Sequence, residues 1–445
     1  MKKITLASLF LAVVLSAPAA VAQTETPSSS APPVGEAAPP SAPSEAAPPA
    51  AVAPTAVPAP AASDPALAAK VAELEAKLKG IEEADATRQA TLDKLSKLKV
   101  SGFIQARYEW NQDAVNGWNF VKNSTGDKDY FYVRRARLDT LYSGTNAEYV
   151  LQIDAGNGTF ATKDVEAAFI DTWTPLHLRI SVGQFKYPFG YELQQPDPVR
   201  EMPERSTFIL KYFPGERDRG LKVQGGYNIL RFQVALINGN GTQDPAFGIL
   251  DSNKFKDLVG RLGVDRGFVA GGVSAWYGAD EIDTSNADPT KWLKYSRIRV
   301  GGDVQGYIDV PSVGNLSLRG ETLYSRDKNQ AYNGVAASSC QDRIGWGWSL
   351  IAAQDIGNYL GAVVRVDGYD PLIQSTLDSV KCAGTSAKPG TYVTAGRDRI
   401  ITYGGGLLAY VSPNLKASFI YEHPTEQGIN KVDNDKFTAQ LQAKF

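Results

Sequence analysis

The last ten residues of the chain alternate without a slip. Phe437, Ala439, Leu441, Ala443 and Phe445 fall on one face, and Lys436, Thr438, Gln440, Gln442 and Lys444 on the other. A period of two predicts a β-strand with one apolar and one polar side. The pattern recurs upstream. Leu176, Leu178, Ile180 and Val182 interleave with His177, Arg179 and Ser181, and Leu230, Phe232, Val234 and Leu236 with Arg231 and Gln233. Leu360, Ala362, Val364 and Val366 do the same with Arg365 and Asp367. Such strands suit a soluble sheet with its polar face in water, or a closed sheet with lipid outside and water inside.

The punctuation between strands separates these two. Short turn signals stand at 143–146, 174–175, 227–228, 265–267, 310–315, 355–358 and 412–414. Between them lie longer polar stretches at 112–129, 157–163, 186–216, 240–254, 280–294, 327–341, 368–397 and 424–435. Long and short connections alternating in this way predict about sixteen strands, with both ends of the sheet on the short-turn side. An even count closes the sheet and removes its edges. Aromatics gather near strand ends (Tyr108, Trp110, Trp173, Trp276, Tyr277, Trp346 and Trp348), as girdles at two lipid interfaces would place them. A soluble all-β chain would hide its apolar faces in sandwiches and space its connections less regularly. The expected fold is therefore all-β: a transmembrane antiparallel β-barrel over residues 100–445, wide enough to enclose an aqueous channel.

Ahead of the barrel the period changes. Leu67, Val71, Leu74, Leu78 and Ile81, with Leu92 and Leu95 in the same register, form a seam of period 3.5, interrupted at Asp85 and Arg88. Residues 65–99 thus predict a coiled-coil helix that pairs with copies of itself, or else a lone amphipathic helix lying on another surface. Asp64 and Pro65 suit its cap and first turn. Residues 23–64 are dominated by Ala, Pro and Ser and predict a disordered linker. A spacer fits this composition; a tether in contact with peptidoglycan is the alternative. Lys2 and Lys3, an apolar run from Ile4 to Leu15, and Ala20-Val21-Ala22 predict a signal peptide over residues 1–22. The run is too short for a membrane-spanning helix, which needs about 20 residues.

Composition narrows the chemistry. A formal net charge of -2 excludes a strongly basic nucleic-acid binder. Two His and two Met in 445 residues argue against a haem or His-based metal centre, so no cofactor is expected. No nucleophile elbow, zinc-protease or phosphate-loop motif is present, and an enzyme is not expected. Cys340 and Cys382 both fall in long connections of an exported chain, where a disulfide joining the two loops is expected and two free thiols are the alternative.

Charge on the polar parity of the strands is the candidate site. Arg107, Arg135, Arg137, Arg179, Lys222, Arg231, Arg261, Arg297, Arg299, Arg319 and Arg365 would face the lumen. Arginine carries a permanent charge on a planar fork, so spaced lumen arginines make a low-affinity path for anions. Glu109, Asp139, Glu148, Asp154, Glu321 and Asp367 share those walls, and full compensation would leave a weakly selective pore. The stretch 186–216 is the candidate constriction. Its aromatics Tyr187, Phe189, Tyr191, Phe208, Tyr212 and Phe213 would pack on the wall, while Lys186, Arg200, Arg205 and Lys211 would face the axis. Glu192, Asp197, Glu201, Glu204 and Glu216 lie in the same stretch.

Two runs carry a family resemblance: Tyr132-Val133-Arg134-Arg135-Ala136-Arg137-Leu138, and Val182-Gly183-Gln184-Phe185-Lys186-Tyr187-Pro188-Phe189-Gly190-Tyr191-Glu192. With Glu204-Arg205-Ser206, Arg217-Asp218-Arg219-Gly220 and Asn238-Gly239-Asn240-Gly241 following in order, the chain resembles the phosphate-selective porins O and P. The resemblance implies a homotrimer of sixteen-stranded barrels in the outer membrane of a Gram-negative bacterium, with the third long loop folded into the pore. It implies that anions pass arginines such as Arg135 and Arg137 towards a lysine cluster, with Lys186 opening the third long loop. The lysine-rich eyelet of strict phosphate-specific members is absent here. The expected function is passive diffusion of small anions such as phosphate or polyphosphate. The alternatives are a general or weakly selective porin, and an envelope tether whose barrel is mainly an anchor.

Overall fold

The computed structural model describes residues 65–112, 127–158, 160–242, 255–282, 293–330, 341–377, 399–427 and 434–445. The signal peptide, the linker and both cysteines lie outside the described residues. Helix α1 runs Pro65–Ser96. Its apolar seam, Val71, Leu74, Leu78, Ile81, Leu92 and Leu95, is exposed along its length. Asp85 and Arg88, the polar break in that seam, pair with each other at 2.8 Å.

Sixteen strands follow. They are β1 Leu98–Asn111, β2 Lys128–Ser143, β3 Ala147–Asp154, β4 Ala161–Ile170, β5 Arg179–Lys186, β6 Arg217–Tyr227, β7 Leu230–Ile237 and β8 Asp257–Asp265. The second half comprises β9 Val269–Ile282, β10 Leu293–Val310, β11 Gly314–Gln330, β12 Gln341–Ile356, β13 Leu360–Leu377, β14 Arg399–Ser412, β15 Leu415–Gln427 and β16 Lys436–Lys444. Every strand pairs antiparallel with its sequence neighbours, and β1 pairs with β16, so the barrel closes. The C-terminal Phe445 completes the seam by exchanging two 3.0 Å backbone hydrogen bonds with Gly102.

Burial is inverted relative to a soluble sheet. On β16, Thr438 and Gln440 are buried while Leu441 is 49% exposed. On β13, Arg365 and Asp367 are buried while Val364 is 59% exposed. Charged residues are seldom buried and apolar strands seldom exposed in water, so this inversion is what a lipid exterior and a polar lumen require.

All seven short connections fall where the turn signals stand, and the seven tight ends are set by local chemistry. Asn228 and Ser312 adopt positive φ in the β6–β7 and β10–β11 turns. One strand edge differs from the alternation. Leu176, His177 and Leu178 belong to the β4–β5 connection, and β5 begins at Arg179. The Asp171 carboxylate accepts the backbone N–H groups of Trp173 and Thr174, and His177 N donates to Thr174 O, so the chain turns there before pairing resumes. At the barrel's start, β1 begins at Leu98, two residues ahead of the expected boundary.

A bulge in the β1–β2 pair matters most for the lumen. Gln105 opposes Arg135 and the next residue, Ala106, opposes Val133, so Arg134 is an extra residue on β2. An inserted residue shifts the side-chain parity on either side of it. Tyr132 and Arg134 therefore point inward before the bulge, and Arg135 and Arg137 after it.

Candidate channel site

The third long connection, residues 187–216, packs against the inner wall. Tyr187, Phe189, Leu193, Phe208, Ile209, Tyr212 and Phe213 are buried in one cluster with Phe185, Ala235, Ile237, Val259, Trp276 and Leu323, all from strands. Ring centroids lie 4.8 Å apart for Tyr187 and Trp276, and 5.3 Å for Tyr212 and Tyr369. Glycines on the wall make room for this packing. A Cβ on Gly347 of β12 would lie 2.4 Å from the Phe208 Cβ, and one on Gly301 of β10 would lie 2.8 Å from the Phe189 ring. A second contact sets Met202 against Ala353, Val363, Leu408 and Ile420.

Polar contacts fix the backbone of the same loop. Glu321 on β11 accepts the N–H groups of Tyr191 (3.2 Å) and Glu192 (2.8 Å). Asp367 on β13 accepts the N–H of Thr207, the first residue of the short helix α2, Thr207–Tyr212. Arg299 Nη1 donates to Tyr212 O at 2.6 Å, and its guanidinium lies over the rings of Tyr212, Phe213 and Trp276. On β15 and β16, Lys416 Nζ donates to Pro198 O and Arg200 O, and Gln442 Nε2 to Pro198 O.

Two loop carboxylates meet the arginines of β1 and β2. Glu204 accepts Arg107 Nη1 at 2.7 Å, Arg134 Nε at 2.7 Å and Arg135 Nη2 at 3.0 Å. Asp197 is paired with Arg137, Arg200 and Arg205. Burial opposes the charge on Asp197, but the guanidiniums of Arg200, Arg205, Arg135 and Arg137 outweigh it and hold the carboxyl well below its usual range. Glu204 is held low in the same way: burial raises it, and Arg135, Arg107, Arg134 and Arg200 more than offset that. For Arg200 the balance reverses. Burial dominates over the attraction of Asp197 and lowers the guanidinium to about 10.

The remaining residues singled out from sequence are placed as follows. Arg205 is fully buried and donates to the carbonyls of Glu192, Leu193 and Gln195, as well as to Asp197 and Glu216. Lys186 Nζ donates to Gln195 O at 3.0 Å, and Lys211 is half-buried beside a cavity described below. Arg179 pairs with Glu148 and Glu166, and Lys222 also reaches Glu166. Arg261 pairs with Asp303, Arg297 reaches Asp257, Arg319 pairs with Glu201, and Arg365 with Asp367 and Glu422. Arg231 donates to the carbonyls of Asn228 and Leu230. Arg134, Lys163, Arg217 and Lys436 also line the cavity beside the loop. Arg134 shares a face with Arg135 only through the bulge, so strict alternation carries no signal for it.

Two cavities carry basic side chains. One, of about 530 Å³, is bounded by loop residues 210–216 and by β1, β2, β3, β4, β6 and β16. Its cations are Arg107, Arg134, Arg135, Arg137, Lys163, Lys211, Arg217 and Lys436; its acids are Glu109, Asp154, Glu204 and Glu216. The other, of about 660 Å³, lies at the short-turn ends of β5–β8 and carries Arg179, Arg231 and Arg261 against Asp265. Cations outnumber acids in both.

A closed sixteen-stranded sheet with an apolar exterior, a charged lumen and a long loop packed against its inner wall defines a porin-type channel of the outer membrane. Residues 104–249 match the family described as Phosphate-selective porin O and P, the family that the motifs of this stretch resemble. Solved structures with this fold include the outer membrane channel DcaP of Acinetobacter baumannii (TM-score 0.52, 13% identity, 78% of this chain and 97% of that one). An anion-selective porin from Comamonas acidovorans is similar at TM-score 0.51 and 10% identity, over 78% of this chain and 99% of that one. OprB of Pseudomonas putida matches at TM-score 0.51 and 13% identity, over 82% and 97% of the two chains. No curated protein sequence matches the chain.

Proposed function

We propose that the barrel passes small anions, such as phosphate or polyphosphate, by passive diffusion through its lumen, with the loop 187–216 narrowing the path. The observation that carries this reading is the cation surplus of the cavity beside the loop, where eight basic side chains face four acidic ones. Fixed guanidiniums in a low-dielectric wall raise the local anion concentration without binding any one ion tightly. The description of the family matched over residues 104–249 favours the same class of solute.

The second reading, a weakly selective general pore, is favoured by the pairing of Arg107, Arg135 and Arg137 with loop carboxylates. A reversal potential across a potassium chloride gradient in planar bilayers separates the two. Anion preference gives a chloride-directed potential, and a potential at or beyond zero towards potassium would overturn the anion reading.

The N-terminal segment is proposed to stand in the periplasm after removal of residues 1–22. The exposed seam of α1 would pair with copies of itself and support a homotrimer, with residues 23–64 as a linker within reach of peptidoglycan. A disulfide between Cys340 and Cys382 would join two long loops. An envelope tether that uses the barrel as an anchor remains the alternative role for residues 23–99.

A further inference from the structure

Glu204 is met by more positive charge than its own carboxylate carries. Its single carboxylate is gripped by three guanidiniums, those of Arg107, Arg134 and Arg135, at 2.7 to 3.0 Å. The Arg107 and Arg135 side chains are almost wholly buried, whereas that of Arg134 is 33% exposed. All four residues also line the 530 Å³ cavity, so the cradle opens onto that space. Arg135 is shared with Asp197 at 3.8 Å, so two carboxylates meet the three guanidiniums and a positive surplus is left.

The peptide carrying Glu204 is held by its backbone as well as by its side chain. Arg107 Nη2 donates to Pro203 O at 2.9 Å, and Arg365 Nη1, on β13, donates to Glu204 O at 2.7 Å. The carboxylate can therefore leave the cradle by rotation about its own side-chain bonds while the loop backbone stays docked.

We propose that Glu204 is a tethered competitor: a multiply charged oxyanion entering the cavity displaces its carboxylate from the arginine cradle, whereas chloride passes without displacing it. This rests on the anion-channel reading above and adds to it how the site discriminates. A divalent oxyanion offers more acceptor oxygens and a second charge to three forks, while chloride offers one charge and no fork geometry. The channel thereby holds such oxyanions weakly enough to release them, because the departing ion is replaced by a carboxylate already in place.

The test uses inorganic phosphate as a blocker of chloride current through the full-length protein in planar bilayers. Glu204→Gln should lower the half-blocking phosphate concentration about tenfold, since it removes a charge-assisted competitor. Glu204→Asp keeps the charge but shortens the reach, and should also lower it. Arg134→Gln should raise it. If both Glu204 variants block at the wild-type concentration, the competition is wrong. A fall in Glu204→Gln without one in Glu204→Asp would reduce the role of Glu204 to simple repulsion and overturn the proposal too. Should Glu204→Gln fail to assemble, the Glu204→Asp result alone decides. A cation-directed reversal potential in the wild type is a different failure, that of the anion-channel reading itself.

Discussion

Arg205 shows how much the loop depends on single side chains. It is fully buried and satisfies three backbone carbonyls and two carboxylates at once, a set that only a planar five-donor group can span. Arg205→Lys keeps the charge and leaves buried acceptors unmet, so it should weaken docking of residues 187–216 by about 2–4 kcal/mol. Faster tryptic cleavage within the loop, with the barrel intact, is the expected result; an unchanged rate would contradict it. Individual residues were also where the sequence was hardest to read. Arg135 and Arg137 lie on the expected parity, but Arg134 reaches Glu204 only because of an extra residue in β2, which alternation cannot reveal until its partner strand is known. Nor could Gly347 be read as a seat for Phe208, since the two are far apart in sequence and meet only when the loop turns inward.

Among elements, the strands and the loop obey different rules. Strand positions were legible because a bilayer fixes strand length and the short turns carry their own chemistry, so each turn signal fell between the expected pair of strands. At β4–β5 the alternation of Leu176 to Val182 ran ahead of the strand because Asp171 closes a turn that hydropathy does not register. The lipid-facing side of β13 makes the strand claim testable. Val364→Arg should destabilise the barrel in vesicles by about 2–4 kcal/mol in urea unfolding, and a neutral outcome would place Val364 away from lipid.

The loop answers to pH instead. Asp197 and Glu204 are held well below the ordinary carboxyl values of 3.8 and 4.5 when the loop is docked. Because the released carboxyls bind protons first, docking keeps its full stability above those ordinary values and loses it as pH falls towards the docked ones. Hydrogen exchange across residues 200–216 should stay flat from about pH 8 to 6 and, after correction for the intrinsic rate, rise below about pH 4. A loop that loosens on raising the pH through neutrality would have its anchors misassigned.

For the whole molecule, the closed sheet separates a lipid-facing exterior from a charged interior, and transport resides in that separation. All sixteen described strands lie in residues 98–445. The helical seam ahead of the barrel is exposed, and association or reach is the role proposed for that segment. The most direct measurement is therefore single-channel recording of the protein beside a form lacking residues 23–97, which leaves β1 whole. Discrete, ohmic conductance steps of equal size in both are expected. Conductance that vanishes with the N-terminal segment, or fails to appear in either form, would contradict a water-filled barrel as the seat of function.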